Sequence, residues 1–323
     1  MHRPQRVDSS GATGVALYTI ADRGFFPGVV ALLNSLRLTG CQHPLYVLDC
    51  GFTEEQRHLL SGHCHLVQAP GLGAINPTQY KPFARLLRPS GVVVIIDSDI
   101  IVTRPLEPVL RLAQEGHICA FPDPESHRWF PEWQQILDLR APLRREPYVN
   151  AGFVAWSTTH WPDFLERWWQ CCRLTFEHRT IREGAPNSGP LAQADQDALN
   201  ALLMSEIPTG ALTLLPKEEE VFRWDLREVS VVDPHTLACR YAGYSVMLLH
   251  SNGGTKLWNG RAWRRVTRRN AYLRLLRRLL TGSDVALRLP LRRLPVWLRP
   301  QRAARAATFL LYGLNVVISV VLQ

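Results

Sequence analysis

The sequence of 323 residues predicts an α/β fold built around a mainly parallel β-sheet, with a basic helical extension at its C-terminal end. Strand-like and helix-like segments alternate along the first hundred residues, which is the order that covers a parallel sheet on both faces. The run "VVVIID" at residues 92–97 is almost continuously apolar, as a central strand requires. With 46% hydrophobic residues, the chain can bury a full core.

The first strands and helices have clear signals. "GVALYTIA" at residues 14–21 predicts a strand, and "DRGFFPG" follows it as a turn. Apolar residues then recur at three- and four-residue spacing from Val29 to Leu38, which predicts a helix. "PLYVLDCG" predicts a second strand, and "TEEQRHLLSG" predicts a second helix with Thr53 as its N-cap. The run at residues 92–97 is then the third strand.

The middle of the chain continues the alternation. "GHICAFPD" and "YVNAGFVAWS" predict two further strands, and helices are expected from about Pro162 to Arg173 and over "ADQDALNALL". Six tryptophans occur in this region (Trp129, Trp133, Trp156, Trp161, Trp168 and Trp169). Their rings could hold a ligand, but packing in the core is the more common role of tryptophan.

Positive charge is concentrated near the C-terminal end. The net charge is +9, yet residues 261–305 contain fourteen Arg, no Lys and one acid, Asp284, so this segment carries +13 and the rest carries −4. "NAYLRLLRRLL" predicts a helix with Tyr272 and the leucines on one face. This distribution predicts that the basic segment binds an anionic partner, either a membrane surface or nucleic acid. Nucleic acid is the weaker candidate because only Tyr272, Trp263 and Trp297 offer aromatic rings among the arginines.

The last 18 residues, 306–323, carry no charged side chain, but they fall slightly short of the roughly 20 residues that span a bilayer. With the arginines before them, they suit an anchor that lies on the anionic cytoplasmic leaflet. The alternative is a helical subdomain that packs its leucines on the body of the protein, with the terminus buried there or in a dimer. We expect the anchor.

Cysteine content and the N-terminal residues bear on localisation. The seven cysteines form no CxxC pair and no regular framework, which favours reduced thiols in the cytosol. Residues 1–12, expected to be disordered, contain no apolar stretch of the kind that a signal peptide needs. We therefore expect a cytoplasmic protein that is peripheral at the membrane.

Asp97 and Asp99 follow the third strand with Ser98 between them. Side chains alternate along an extended segment, so the two carboxylates are expected on one side. The carboxyl end of a strand is where an open α/β sheet places ligands, and paired carboxylates suit a hard divalent cation. The alternative is a strand end with two solvated acids, and this short pattern alone does not decide between them.

"LHSNGGTKLW" at residues 249–258 combines several groups that suit a metal-bound diphosphate. The imidazole of His250 can bind Mn²⁺, Gly253 and Gly254 let backbone N–H groups approach an anion, and Lys256 can neutralise phosphate. Taken separately, these residues are also compatible with an ordinary turn and a surface lysine.

Two polar stretches are candidates for contact with a sugar. In "YVNAGFVAW", Asn150 precedes the small residues Ala151 and Gly152, which leave room for a ligand, although a turn asparagine in an edge loop is an equally good interpretation. In "QADQDALN", the side chains of Asp195, Gln196 and Asp197 cannot all point the same way. They could face a sugar ring, or Asp195 could simply cap the helix.

The order of five motifs resembles that of the family 8 glycosyltransferases, which include glycogenin and bacterial lipopolysaccharide galactosyltransferases. The motifs are "YTIADRGFFPG", "YKPFARLLRPSGVVVIIDSD", "YVNAGFVAWS", "ADQDALN" and "HSNGGTKLW", and they cover roughly residues 14–260. The resemblance implies a GT-A type, Rossmann-like nucleotide-diphospho-sugar transferase domain, assigned to residues 13–262. A basic helical extension (263–305) and the hydrophobic segment (306–323) would follow.

The resemblance also implies a UDP-sugar donor, a divalent cation (Mn²⁺, with Mg²⁺ as an alternative), a glycan or lipid-linked acceptor, and retention of anomeric configuration. The implied metal ligands are Asp97, Asp99 and His250. The residues implied to bind the donor are Thr19, Ile20, Ala21, Asp22, Phe25, Lys81, Ser98, Asn150, Ala151, Gly152, Gly253, Gly254 and Lys256. The residues implied at the reacting sugar are Asp195, Gln196 and Asp197.

This sequence also departs from the family pattern. Phe25 stands where the family often has tyrosine, and Leu257 replaces a proline after the lysine. Ala192 replaces a further sugar-binding aspartate of glycogenin-like members, so the donor sugar is not specified.

Two functions follow as hypotheses. The first is a retaining hexosyltransferase in which electrostatic stabilisation of the leaving diphosphate dominates, with front-face attack favoured over a covalent intermediate because a glutamine is a poor nucleophile. The second is an inactive GT-A-like adaptor that binds a membrane or nucleic acid through its Arg-rich tail. Oligomeric state is not specified by the sequence.

Overall fold

The structure, a computed structural model, describes residues 13–68, 77–125, 127–181, 189–265 and 269–299. The N-terminal segment 1–12 and the hydrophobic segment 306–323 lie outside these ranges, so the expectations for them stay predictions. None of the helices in the described ranges combines the length and the apolar character that a bilayer crossing requires.

The described residues contain thirteen strands. They are β1 (Thr13–Ala21), β2 (Leu45–Asp49), β3 (His65–Val67), β4 (Ser90–Ile96), β5 (Ile100–Val102), β6 (Ile118–Pro122), β7 (Val149–Ser157), β8 (Leu212–Leu214), β9 (Glu220–Phe222), β10 (Ser230–Asp233), β11 (Ala238–Tyr241), β12 (Tyr244–Ser245) and β13 (Leu248–His250). The five strands that the sequence predicts correspond to β1, β2, β4, β6 and β7.

Seven α-helices are described. They are α1 (Phe26–Leu38), α2 (Glu54–Leu60), α3 (Glu107–Gln114), α4 (Trp133–Ile136), α5 (Phe164–Ile181), α6 (Asp195–Ser205) and α7 (Ala271–Thr281). Short 3-10 helices occupy Pro77–Leu87, Lys217–Glu219, Gly260–Arg265, Leu291–Arg293 and Val296–Leu298. Thr53 caps α2 as predicted, because its hydroxyl accepts from the Gln56 N–H (3.3 Å) while the Gln56 side chain accepts from the Thr53 N–H (2.9 Å).

The central sheet has seven strands in the order β3-β2-β1-β4-β7-β6-β8. Strand β7 pairs antiparallel with both β4 and β6, and the other pairs in this sheet are parallel. The predicted mainly parallel α/β sheet is therefore confirmed. Strands β5, β13 and β9 form a second sheet of three strands, and β10, β11 and β12 form a third.

The sheet separates two hydrophobic clusters because alternate residues of a strand face opposite sides. Leu17 of β1 belongs to a cluster with α1, the second sheet and α7, whereas Tyr18 belongs to a cluster with α5 and α6. Of the six tryptophans, Trp133, Trp156 and Trp168 are fully buried in the latter cluster. Packing is thus the role of these three.

The described part of the basic extension packs on the body. Tyr272 and the leucines of α7 that share its predicted face (Leu275, Leu276, Leu279 and Leu280) are fully buried. The buried Asn34 of α1 donates to the carbonyls of Leu279 and Leu287, each at 2.7 Å, and accepts from the Leu287 N–H (3.1 Å). For α7, the structure therefore shows the alternative in which a helical subdomain packs its leucines on the body of the protein.

Candidate functional site

The two aspartates lie at the carboxyl end of β4, where the sequence places them. The Asp97 N–H donates to the Gly152 carbonyl of β7 (2.8 Å), and the Ile100 N–H donates to the Asp97 carbonyl (3.1 Å). The chain therefore turns over residues 97–99 and enters β5 directly. The Asp97 side chain is 29% exposed and the Asp99 side chain 8%, so the turn is open to solvent mainly at Asp97.

Strand β13 brings His250 to this turn, because His250 pairs with Ile100 of β5. Its Nε2 lies 3.4 Å from Asp99 Oδ1 and 3.8 Å from Asp97 Oδ2. One ligand atom from each of Asp97, Asp99 and His250 lies within 4.8 Å of the other two. The predicted convergence is observed, and the three residues form a candidate metal site.

The buried Glu220 contacts the ring nitrogen of His250 that points away from the aspartates. Glu220 Oε1 lies 2.8 Å from His250 Nδ1, so Nδ1 donates and Nε2 faces the aspartates. Burial alone would lower the pKa of His250, but the carboxylates of Asp99 and Glu220 outweigh it and raise the pKa to about 10. Sequence reasoning missed Glu220, since "EEEVF" carries three acids without a pattern that singles one out.

Small residues next to the site are required by close packing. A Cβ added at Gly152 would lie 2.5 Å from Cε1 of His250 and 2.7 Å from Oδ1 of Asn150. A Cβ added at Gly28, in the first turn of α1, would lie 2.3 Å from the Ser98 carbonyl. Glycine therefore lets the imidazole lie against β7 and lets α1 approach the 97–99 turn.

Two buried lysines neutralise the aspartates. Lys81 Nζ lies 3.0 Å from Asp97 Oδ1 and 3.1 Å from Asp195 Oδ2, and donates to the Ala151 carbonyl (2.9 Å). Lys256 Nζ donates to Asp99 Oδ2 (2.5 Å) and to the carbonyls of the 251–253 loop. Burial alone would raise the pKa of Asp99, but His250 and Lys256 hold it well below its usual range.

Asp123, which sequence reasoning missed, connects the two predicted sugar-binding amides. Its Oδ2 accepts from Asn150 Nδ2 (2.9 Å) and from Gln196 Nε2 (3.1 Å). Gln196 Oε1 accepts from the Ala151 N–H (3.0 Å), which joins α6 to β7. Asn150 lies inside β7, between β4 and β6, so its interpretation as an edge-loop turn residue is wrong.

Asp197 lies away from this group, in a buried ion pair. Arg128 Nη2 donates to its Oδ2 (2.9 Å), and the Tyr148 hydroxyl donates to its Oδ1 (2.8 Å). The Gln193 N–H also donates to Oδ2 (2.7 Å). Burial raises the pKa of Asp197 to about 6, despite the lowering effect of Arg128. These contacts hold the start of α6 in place.

Asp195 does not cap α6. The N-cap residue is Ala194, with φ 50° and ψ −110° and no side-chain acceptor, and Asp195 is the first helical residue. Its carboxylate pairs with Lys81 (3.1 Å) instead. The alternative interpretation of Asp195 as a cap is therefore wrong, and Lys81 brings its carboxylate together with that of Asp97.

The predicted donor-binding residues that follow β1 contact the residues that follow β13. Asp22 Oδ1 accepts from the N–H groups of Gly24 and Phe25 (2.7 and 3.1 Å), which closes the turn after β1. The Trp258 indole N–H donates to the Gly24 carbonyl (2.8 Å), and Lys256 Nζ lies 5.5 Å from the centre of the Phe25 ring. Of the preceding strand residues, Thr19 and Ala21 are buried and Ile20 is partly exposed. Residues 19–25 therefore flank the loop that follows His250.

The described donor set fits a divalent cation. Two carboxylates and one imidazole nitrogen are suitable ligands for Mn²⁺ or Mg²⁺, and the Glu220 carboxylate orients the imidazole as metal-binding histidines require. The three ligand atoms are already close enough to share one ion, although Lys256 and Lys81 occupy some of the carboxylate oxygens.

Two solved structures with similar architecture are those of glycosyltransferases. The galactosyltransferase LgtC, in complex with donor and acceptor sugar analogs, matches with a TM-score of 0.51 and 16% identity over 83% of this chain and 98% of that chain. The bifunctional glycosyltransferase WbbM, in its apo form, matches with a TM-score of 0.53 and 17% identity over 86% of this chain and 51% of that chain. No protein-family model and no curated protein sequence matches the chain.

At this level of identity the likeness establishes the fold. The chain has the α/β, GT-A type architecture of these glycosyltransferase structures, as the order of its motifs predicts. The candidate metal site lies at the carboxyl end of β4, next to the antiparallel strand β7.

Proposed function

We propose that this chain is a retaining, metal-dependent glycosyltransferase that moves a hexose from a UDP-sugar to a glycan or lipid-linked acceptor. The observation that supports it best is the convergence of Asp97, Asp99 and His250 on one ion-sized site in a GT-A type fold. Two carboxylates and an imidazole suit a hard divalent cation, and the 29% exposure of the Asp97 side chain leaves this group open to solvent, so the arrangement favours a binding role over a purely structural one.

Asp97, Asp99 and His250 would hold the ion, with Mn²⁺ the expected occupant and Mg²⁺ the alternative. When bound, the ion would neutralise charge that develops on the departing diphosphate. Glu220 keeps Nε2 of His250 directed at the site, and Gly253 and Gly254 leave the loop backbone open to phosphate. Lys256 remains the predicted diphosphate lysine.

The residues around the sugar position favour front-face attack. Gln196 is held by Ala151 and Asp123, and an amide is a poor nucleophile. Asp195 is paired with Lys81, which lowers the nucleophilicity of its carboxylate. Asp197, in its ion pair with Arg128, is better suited to position α6 than to touch substrate. Asp195 and Gln196 would therefore bind and orient the transferred sugar, and Asp197 would hold the start of α6 in place.

The Arg-rich extension and residues 306–323 would hold the enzyme at the cytoplasmic face of a membrane. The leucines of α7 are buried in the body, Arg277 donates to the Trp297 carbonyl and Arg278 pairs with Asp284. Of the α7 arginines, the exposed Arg274 would face the lipid surface, together with the terminal segment. Lipid-linked acceptors would then be within reach.

The test is a titration of UDP into the protein with and without Mn²⁺, followed by a donor-hydrolysis screen over UDP-glucose, UDP-galactose and their N-acetyl forms. We expect Mn²⁺-dependent UDP binding in the wild type. Asp99→Asn should abolish it while circular dichroism and the melting temperature show a retained fold, and the exposed Asp163→Asn should change nothing. The proposal would be defeated by UDP binding that does not depend on Mn²⁺, or by an Asp99→Asn variant with full turnover. Either result would favour the inactive GT-A-like adaptor.

A further inference from the structure

The segment that follows β9 carries an arginine that no motif assigns to the site. Strand β9 runs parallel to β13 with Phe222 opposite His250, so the residues after each strand emerge side by side. Arg223 comes next, and its backbone N–H donates to Asn252 Oδ1 (3.3 Å) in the loop after His250. Sheet register therefore places Arg223 beside the "SNGG" loop.

The guanidinium of Arg223 lies close to Gly253 of this loop. A Cβ built on Gly253 would be 3.1 Å from Nη1 and 3.5 Å from Cζ of Arg223. Gly253 and Gly254 both have positive φ, 58° and 56°, and have no side chains to cover the backbone. The guanidinium also lies over the Trp224 ring, with Cζ 4.6 Å from the ring centroid. A cation–π contact thus supports the position of the guanidinium beside the loop.

The guanidinium also lacks a described partner. Within the described ranges, no carboxylate lies within ion-pair distance of Arg223, and none of its side-chain N–H groups donates to a protein acceptor. Lys256 and Lys81 differ, since each directs its ammonium at three acceptors. Among the residues that the structure describes, Arg223 thus keeps its side-chain donors available for an anion that arrives at the loop after His250.

We propose that Arg223 binds a phosphoryl group of a substrate at the 252–254 loop, with Trp224 holding its guanidinium in plane. This inference rests on the proposed function. A guanidinium can donate two parallel N–H groups to two oxygens of one phosphate, a planar bidentate geometry that a lysine ammonium does not offer. The phosphoryl group comes either from the donor diphosphate or from a phosphate on the acceptor.

The test compares Arg223→Gln and Arg223→Lys with the exposed Arg227→Gln, which removes the same charge from the same segment. Calorimetry with Mn²⁺ present would measure UDP affinity, uridine affinity, and the affinity of the UDP-saturated protein for inorganic phosphate. Uridine carries no phosphate, so its binding reports on an intact nucleoside pocket.

If the donor supplies the phosphate, Arg223→Gln should weaken UDP binding about tenfold or more, with Arg223→Lys intermediate and uridine binding unchanged. If the acceptor supplies it, UDP binding should be unchanged and phosphate binding to the UDP-saturated protein should be lost. If Arg223→Gln binds both UDP and phosphate with wild-type affinity, the inference about Arg223 is overturned and the proposed function still stands. Absence of Mn²⁺-dependent UDP binding in the wild type would overturn the proposed function, and this inference with it.

Discussion

At the level of single residues, the two nitrogens of His250 have different roles. Nδ1 is 2.8 Å from Glu220 Oε1, and Nε2 faces Asp97 and Asp99. A carboxylate behind a metal-binding imidazole fixes its tautomer and makes the free nitrogen a stronger ligand. Glu220 is 2% exposed, and its Oε2 has no hydrogen-bond partner in the described structure. Such a buried carboxylate is costly, so a role in orienting His250 is a sufficient reason to retain it.

Glu220→Ala is expected to lower the affinity for Mn²⁺ about 10- to 100-fold, because the imidazole loses its fixed orientation. Electron paramagnetic resonance of free Mn²⁺, recorded in the presence of UDP, would measure the change. The neighbouring Glu218→Ala is the control. An unchanged affinity in Glu220→Ala, with the melting temperature maintained, would rule out this role.

The sequence was sufficient for the residues that belong to short motifs. Asp97 and Asp99 could be placed at a strand end from the apolar run before them, and His250 from the resemblance. Glu220, Asp123 and Arg223 could not be predicted in the same way. Their roles depend on which strands become neighbours, and pairing of β9 with β13 is a tertiary outcome that no local pattern encodes.

At the level of elements, α1 and α7 are joined by one buried amide. Asn34 satisfies the carbonyls of Leu279 and Leu287 and the N–H of Leu287 at the same time. A buried backbone group without a partner destabilises the native state, so this side chain fixes where the chain turns after α7.

Asn34→Ala is expected to lower the free energy of unfolding by about 2 to 4 kcal/mol, because it leaves three buried backbone groups without this partner. Urea denaturation followed by tryptophan fluorescence would measure the loss. Gln42→Ala, on the exposed surface, should change stability by less than about 0.5 kcal/mol. Equal midpoints for the two variants would contradict this role of Asn34.

Elements with strong periodicity were predictable, and elements defined by long-range contacts were not. The strands β1, β2 and β4 and the helices α1 and α2 follow from apolar spacing and the Thr53 cap. The 3-10 helix Pro77–Leu87, which carries Lys81 into the site, has no such signal and contains Pro82. At α6, the pairing of Asp195 with Lys81 outweighed the local preference of aspartate for the cap position.

At the level of the whole molecule, the described part of the basic extension belongs to the core. Leucines of α7 share a hydrophobic cluster with β1, β4 and α1. Trp297 is 4% exposed, and its indole N–H donates to the Leu257 carbonyl (2.8 Å), next to Lys256. The extension therefore supports the loop that flanks the metal site.

Two truncations should separate the roles of the C-terminal residues. A chain ending at residue 299 keeps α7 and Trp297, so we expect it to unfold cooperatively but to sediment less with vesicles that contain anionic lipid. A chain ending at residue 268 exposes the leucine face of the core and is expected to lose cooperative unfolding. Cooperative unfolding of the shorter chain would show that the extension is dispensable for the fold. Full vesicle binding by the longer one would argue against the anchor.

The two lysines paired with the aspartates determine how the candidate site would take up an ion. Lys81 and Lys256 act as internal counterions, so the acidic cluster needs no external cation to persist, and chelation should leave a folded, reloadable protein. Loading would then be an exchange in which the Lys256 ammonium withdraws from Asp99 as an ion arrives. A diphosphate that accepts the released ammonium would make that exchange favourable, so ion and nucleotide would tend to enter together.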